Sequence, residues 1–322
     1  MQLRGRLAKK QATPILKLLV VGTLIALMTI NAPTPAKGHI LQQELNQKLY
    51  LPLVMKEFRW LGAWIEGKVV DARDQDNNGL PDPLGGVKVC TQYQECATTA
   101  SDGSYTISLD FIAERQVTAE KEGYISLTQS VYPIANQTVT LNFVLSPPLQ
   151  DVVSRVVLTW DATRSFTLPN FPNPIDNDLD AYLFIKHQTG NLMLYYDNRG
   201  NATDFPHALL LYDYREGAGP ETIDITALES GEPPTEYHYA VHNANFTYSA
   251  GQIPSLAELK ATVCVYFKEQ SSANCYAAPA GEGQLWYLFS MTQEGDVTLK
   301  NCLLSLDPPD LNGEPPQCPP SP

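Results

Sequence analysis

Between residues 63 and 145, apolar residues alternate with polar ones in short runs. Clusters of Gly, Pro, Asn and Asp interrupt these runs roughly every eight to twelve residues, the spacing of a β-sandwich. The pattern predicts seven strands, at 64–70, 87–91, 95–99, 104–109, 116–121, 125–130 and 137–145. Asp102-Gly103 marks a tight hairpin, because the pair accepts positive φ. Pro147-Pro148 then closes the module, since proline cannot continue a central strand. Beyond it the chain offers nine further short strands, at 152–160, 181–186, 192–197, 208–214, 221–225, 237–242, 261–268, 284–291 and 297–303. Only Leu256-Ala257-Glu258-Leu259-Lys260 fits a helical turn. The expected fold is all-β, with two β-sandwiches in tandem across a short rigid linker, the second larger and jelly-roll-like.

The chain's beginning follows a different pattern. Arg4, Arg6, Lys9, Lys10 and Lys17 precede an uncharged run from Leu18 to Ile30 and a small-residue end at Thr34-Pro35-Ala36. This is the layout of a secretory signal peptide, and its apolar run is short of the ~20 residues that span a bilayer. Residues 1–36 are read as that signal, 37–62 as a spacer with an apolar patch at Tyr50 to Met55, 63–147 as the first sandwich and 150–306 as the second. Residues 307–322 are Pro-rich and acidic without an apolar period, which predicts a disordered tail. The expected location is secreted, with no membrane span; surface attachment and oligomeric state stay open.

Charge narrows the class of partner. Removing residues 1–36 turns 22 basic against 35 acidic residues into 17 against 35, a formal charge of −18. A nucleic-acid partner is excluded, because displacing phosphate counterions needs a basic stripe. The six cysteines, Cys90, Cys96, Cys264, Cys275, Cys302 and Cys318, are an even set in an exported chain and read as three disulfides. Pairing sequence neighbours is the simplest of the fifteen connectivities; Cys318 in its Pro-rich setting could also stay free.

Four stretches carry a resemblance: Ile65-Glu66-Gly67-Lys68-Val69-Val70-Asp71, Pro83-Leu84-Gly85-Gly86-Val87-Lys88-Val89, Thr99-Ala100-Ser101-Asp102-Gly103-Ser104-Tyr105 and Ala119-Glu120-Lys121-Glu122-Gly123-Tyr124. In this order they resemble a carboxypeptidase regulatory-like domain. The resemblance implies a seven-stranded prealbumin-like sandwich, grouped with carbohydrate-binding-like folds, and implies no activity. In the second half, Asp178-Leu179-Asp180-Ala181-Tyr182-Leu183, Tyr196-Asp197-Asn198-Arg199-Gly200, Gly219-Pro220-Glu221-Thr222 and Glu236-Tyr237-His238-Tyr239-Ala240-Val241 resemble a secreted bacterial β-sandwich domain of unknown function. More distantly they are similar to pre-peptidase C-terminal domains, in which the acidic turn can hold calcium; the matching positions are Asp176, Asp178 and Asp180.

The residues make a case for a cation without the family. Three carboxylates on alternate residues at a strand entrance repel one another unless a cation neutralises them, and calcium wants six to eight oxygens. Asn177 and Asp197 could complete such a shell; the competing reading is a solvated loop whose aspartates cap turns. A second loop, Asp74, Asp76, Asn78 and Asp82 with Gly79, matches the first part of an EF-hand-type loop, but Gly85 stands where the bidentate acid belongs. Ca2+ is the one cofactor these positions would take.

No catalytic motif occurs: there is no GxSxG, HExxH, phosphate loop or GxGxxG. His238 and His242, four strand residues apart, sit roughly 13 Å apart, too far to share a zinc. Tyr212 with Tyr214 and Tyr237 with Tyr239 lie on alternate strand residues. They could form a sugar-stacking platform, although packing inside the sandwich is the commoner use of such pairs. The expectation is a non-enzymatic binding protein for polysaccharide or cell-surface glycan. The alternative is a calcium-stiffened structural or adhesive protein with a protein partner.

Overall fold

The computed structural model describes residues 62–161, 177–245 and 253–320, apart from 74, 77, 79, 212 and 215–218. The residues read as an export signal, almost all of those read as a spacer, Asp74, Asp176 and Tyr212 lie outside the described residues. No helix among the described residues is long and apolar enough to cross a membrane.

The first sandwich holds eight strands: β1 (Ala63–Asp71), β2 (Lys88–Thr91), β3 (Cys96–Thr98), β4 (Ser104–Leu109), β5 (Arg115–Glu120), β6 (Leu127–Val131), β7 (Thr138–Thr140) and β8 (Phe143–Leu145). One sheet runs β4-β1-β7 with β8 also on β1, and the other runs β3-β2-β5-β6. Alternate residues such as Ile65, Val69, Ile107, Val117 and Phe143 fill the core between them. The strand expected over 137–145 is two, both parallel to β1. The break falls at Leu141, whose carbonyl accepts the Tyr105 hydroxyl at 2.5 Å. That carbonyl lies where a side chain at residue 67 would go, since a Cβ on Gly67 would stand 1.9 Å from it. At the far end of this sandwich, buried Arg115 forks onto Glu95 at 2.8 and 3.1 Å, with the rings of Tyr93 and Phe111 over its guanidinium.

The second sandwich holds β9 (Ser154–Thr159), β10 (Leu179–His187), β11 (Gly190–Leu194), β12 (Gly200–Asn201), β13 (Ala208–Leu210), β14 (Glu221–Ile225), β15 (Glu236–Asn243), β16 (Thr262–Phe267), β17 (Asn274–Ala277), β18 (Leu285–Thr292) and β19 (Val297–Leu304). A five-stranded sheet, β11-β10-β15-β18-β19, and a six-stranded sheet, β12-β13-β14-β9-β16-β17, are antiparallel throughout. All nine expected strands are present, and β12 and β17 are additions. The helical turn at 256–260 is a turn capped reciprocally, with the Ser255 and Glu258 side chains bonding each other's backbone amides.

The sandwiches are joined by more than the Pro147-Pro148 linker. Val157, Cys264 and Tyr266, on the outer face of β9 and β16, are buried in the first sandwich's core cluster. Arg155 forks onto Asp224 and also donates to the Ser146 hydroxyl at 3.1 Å. Disulfides join Cys90 to Cys96, Cys264 to Cys275 and Cys302 to Cys318. The last corrects the expectation of a disordered tail. Pro308–Leu311 forms a 3-10 turn, and Leu311 packs on the outer-face cluster of Tyr182, Phe184 and Tyr287. A long disulfide loop and one anchoring leucine order this segment despite its composition.

Candidate metal centre

Three acids from three chain segments converge at one edge of the second sandwich. Asp180 is the second residue of β10, where the strand is open on one side because β11 pairs only from Leu183 onward. Glu221 opens β14 in the opposite sheet, and Asp213 lies on the connection from β13 to β14. One oxygen from each lies within 4.8 Å of the others. Two oxygens on one calcium with bonds of about 2.4 Å stand at most about 4.8 Å apart, so a small inward shift of the three side chains brings all of them onto one ion.

Local sequence sets the geometry. Glu221 falls on the inward period of β14 with Ile223 and Ile225, so its side chain enters the sandwich. Gly219 lets the chain turn just before it: φ is +77°, and a Cβ there would stand 2.8 Å from the Trp160 ring. The Trp160 indole donates to the Asn177 carbonyl at 3.1 Å, tying the end of β9 to the start of β10. Buried amides hold the other side. Asn245 Nδ2 donates to Asn243 Oδ1 at 2.7 Å, and Asn245 Oδ1 accepts the Asp178 amide at 3.3 Å.

The electrostatics of the cluster favour a positive charge. Glu221 is 1% exposed; its Oε2 accepts the Ala181 amide at 2.7 Å, while Oε1 is buried without a hydrogen-bond partner. Burial pushes its carboxyl well above the ordinary range, and the charges of Asp180, Asp213 and Asp178 add to the push against the Ala181 amide. The Tyr239 hydroxyl is buried without a partner, its pKa raised by burial and then by Glu221. An unsatisfied buried oxygen on an acid beside two more acids costs stability unless something positive neutralises it. The donor set is all oxygen, which suits calcium.

Of the expected ligands, Asp180 is in the cluster. Asp178 stands nearby, half-buried, and contributes to the field on Glu221. Asp197 does not join them: it is exposed in the turn that pairs Tyr195 with Asn198. Sequence reasoning missed Asp213 and Glu221. An acid on the inward period of an apolar strand was the available signal for Glu221, whereas Asp213 carried none. In the second loop Asp76 accepts the amide and side chain of Asn78 at 3.2 and 2.8 Å, and Asp82 accepts the Gln75 amide at 2.6 Å. These oxygens cap turns, and Asp76 and Asn78 are exposed.

The tyrosine platform is corrected. Tyr237 and Tyr239 are fully buried because β15 is central, between β10 and β18, and its odd residues face the core. Tyr214 is half-buried. His238 and His242 are also buried, on the other face of β15. His238 bonds the Tyr287 hydroxyl at 2.6 Å, and burial pushes its imidazole pKa down. His242 lies 3.6 Å from Asp180.

Fold and cluster together give a tandem β-sandwich protein with three converging carboxylates, two buried and one half-buried. No family model matches the sequence, and no curated protein matches it. Among solved structures the chain is similar to a streptococcal ancillary pilin, with 11% identity, TM-score 0.21, and coverage of 69% of this chain and 60% of the pilin. It is also similar to a Bacteroides uniformis protein titled "putative carbohydrate binding protein", with 12% identity, TM-score 0.21, and coverage of 70% and 98%. A third is the major pilin subunit of Bacillus cereus, with 9% identity, TM-score 0.20, and coverage of 76% and 93%. This chain therefore spans less than two thirds of the ancillary pilin's length.

Proposed function

We propose that this chain is an exported, non-enzymatic binding protein whose second sandwich is clamped by calcium and whose ligand is carbohydrate. The observation that carries the calcium clamp is the trio of Asp180, Asp213 and Glu221 within 4.8 Å, with a buried Glu221 oxygen left unpartnered. An ion there ties the start of β10 to the start of β14, joining the two sheets where no strand pairing does. Export is supported by the three disulfides, which belong to oxidising compartments. Carbohydrate is supported by the resemblance of residues 63–147 to carbohydrate-binding-like folds.

Thermal unfolding of the oxidised protein, in EDTA and in excess calcium, tests the clamp. Calcium at about 100 times its dissociation constant adds roughly 2.7 kcal/mol to the native state. A rise in Tm with calcium, absent in Asp180→Asn, supports the clamp. An equal rise in both proteins, or none in either, removes it.

A further inference from the structure

The geometry points to the cleft between the two sandwiches as the binding site for a neutral oligosaccharide. This rests on the carbohydrate reading above and gives it a place and a chemistry. The cleft has a volume of about 1000 Å³ and runs along β6, β7 and β8 of the first sandwich, facing Trp160, Asp161, Tyr214 and Lys260 of the second. Its walls are fixed relative to each other by the shared core around Val157, Cys264 and Tyr266, so the cleft is preformed, as small-ligand sites usually are.

The lining selects a neutral, polar ligand with an apolar face. Its charged residues are Lys68, Lys260, Asp102 and Asp161, two of each sign, and the Lys260 ammonium lies 3.1 Å from the Asp161 carboxylate. In a chain of formal charge −13 this balance is local. On the rim Tyr132 is 68% exposed, the most exposed large apolar residue among those described, and Ile134 beside it is 50% exposed. An exposed tyrosine ring stacks against the C–H face of a hexose.

Hydrogen-bonding groups on the wall are side-chain amides held in place at one end and open at the other. Gln129 Nε2 donates to the Asn142 carbonyl at 3.1 Å, and Asn142 Oδ1 accepts the Lys68 amide at 2.8 Å. Among the described residues, the Asn142 amide nitrogen and the Gln129 carbonyl oxygen then have no partner. They form a fixed donor and acceptor of the kind that reads sugar hydroxyls.

The test uses the whole oxidised chain in calcium, titrated calorimetrically with linear neutral hexasaccharides of glucose, xylose and mannose and with an extended neutral decapeptide. Tyr132→Ala removes the stacking ring at the surface. Asn142→Asp keeps the acceptor for the Lys68 amide and removes the donor. Exposed Tyr196→Ala, outside the cleft lining, is the control. The expected result is binding of at least one hexasaccharide, weakened roughly tenfold by each cleft variant at unchanged Tm and unaffected by Tyr196→Ala. If no hexasaccharide binds, the carbohydrate reading fails and the cleft with it. If a hexasaccharide binds and both cleft variants bind equally well, the cleft is overturned and the carbohydrate reading stands. Decapeptide binding lost in Tyr132→Ala overturns the ligand class.

Discussion

Replacing Glu221 by Gln should raise stability without calcium and lower it with calcium. Gln is nearly isosteric and keeps an oxygen for the Ala181 amide, now 2.7 Å from Glu221 Oε2. What it removes is charge. At 4.8 Å, the distance within which the three oxygens lie, two carboxylates repel by about 3.5 kcal/mol at an effective dielectric of 20. Wild type escapes by taking up a proton, and holding a proton at pH 7 on a carboxyl of ordinary pKa 4.5 costs about 3.4 kcal/mol. The two routes cost nearly the same, so Glu221→Gln should stabilise the EDTA-treated protein by about 2–3 kcal/mol, after relaxation of the site. Excess calcium stabilises wild type by roughly 2.7 kcal/mol and the variant far less, which closes or reverses the order. Urea unfolding at pH 7, in EDTA and in calcium, measures all four values. A variant less stable than wild type in EDTA, or one that gains as much from calcium, refutes the reasoning.

Other outcomes follow from the same physics. In EDTA, the Glu221 contribution is present below its ordinary pKa of 4.5 and is lost as pH rises through the raised folded-state value. The stability difference between Glu221→Gln and wild type should therefore widen with pH in EDTA and flatten in saturating calcium, where the ion replaces the proton. Arg115→Met strands Glu95 in a buried site and should cost about 3–5 kcal/mol by urea unfolding. Burial pulls the Glu95 carboxyl up, but the Arg115, Asp110 and Thr91 bonds more than offset it and leave the pKa lowered. That pair's contribution should thus fade as pH falls through the lowered value. Opening the 16-residue Cys302–Cys318 loop by a double Cys→Ser change should cost about 3 kcal/mol and raise proteolytic cleavage of residues 305–320.

Period-2 patterning made the first sandwich's strands legible, because its sheets have one face in the core and the alternation records it, whereas β9, β10, β14, β15 and β18 are buried on both faces and show as short apolar runs. Register between distant strands was not legible, and the site depends on register. Asp180 and Glu221 meet because β10 and β14 lie in facing sheets, a relation no local spacing encodes. Reading Asp176, Asp178 and Asp180 as one shell treated a three-dimensional site as a linear one. Tyr237 and Tyr239 have the spacing of a surface platform and of a core pair alike; only the central position of β15 decides between them. The tail failed for another reason, since composition predicted disorder while one disulfide and Leu311 impose order. The shared core at Val157, Cys264 and Tyr266 was hidden because β9 and β16 are apolar on both faces, which reads equally as one deeply buried sheet.

Calcium binding measured directly is the closest test of the central claim. EDTA-stripped protein, desalted and titrated calorimetrically with calcium chloride, should bind one ion per chain at the Asp180, Asp213 and Glu221 cluster, and the Asp180→Asn, Asp213→Asn double variant should bind none there. Absence of any binding in the wild type, or an undiminished single site in the double variant, would contradict it.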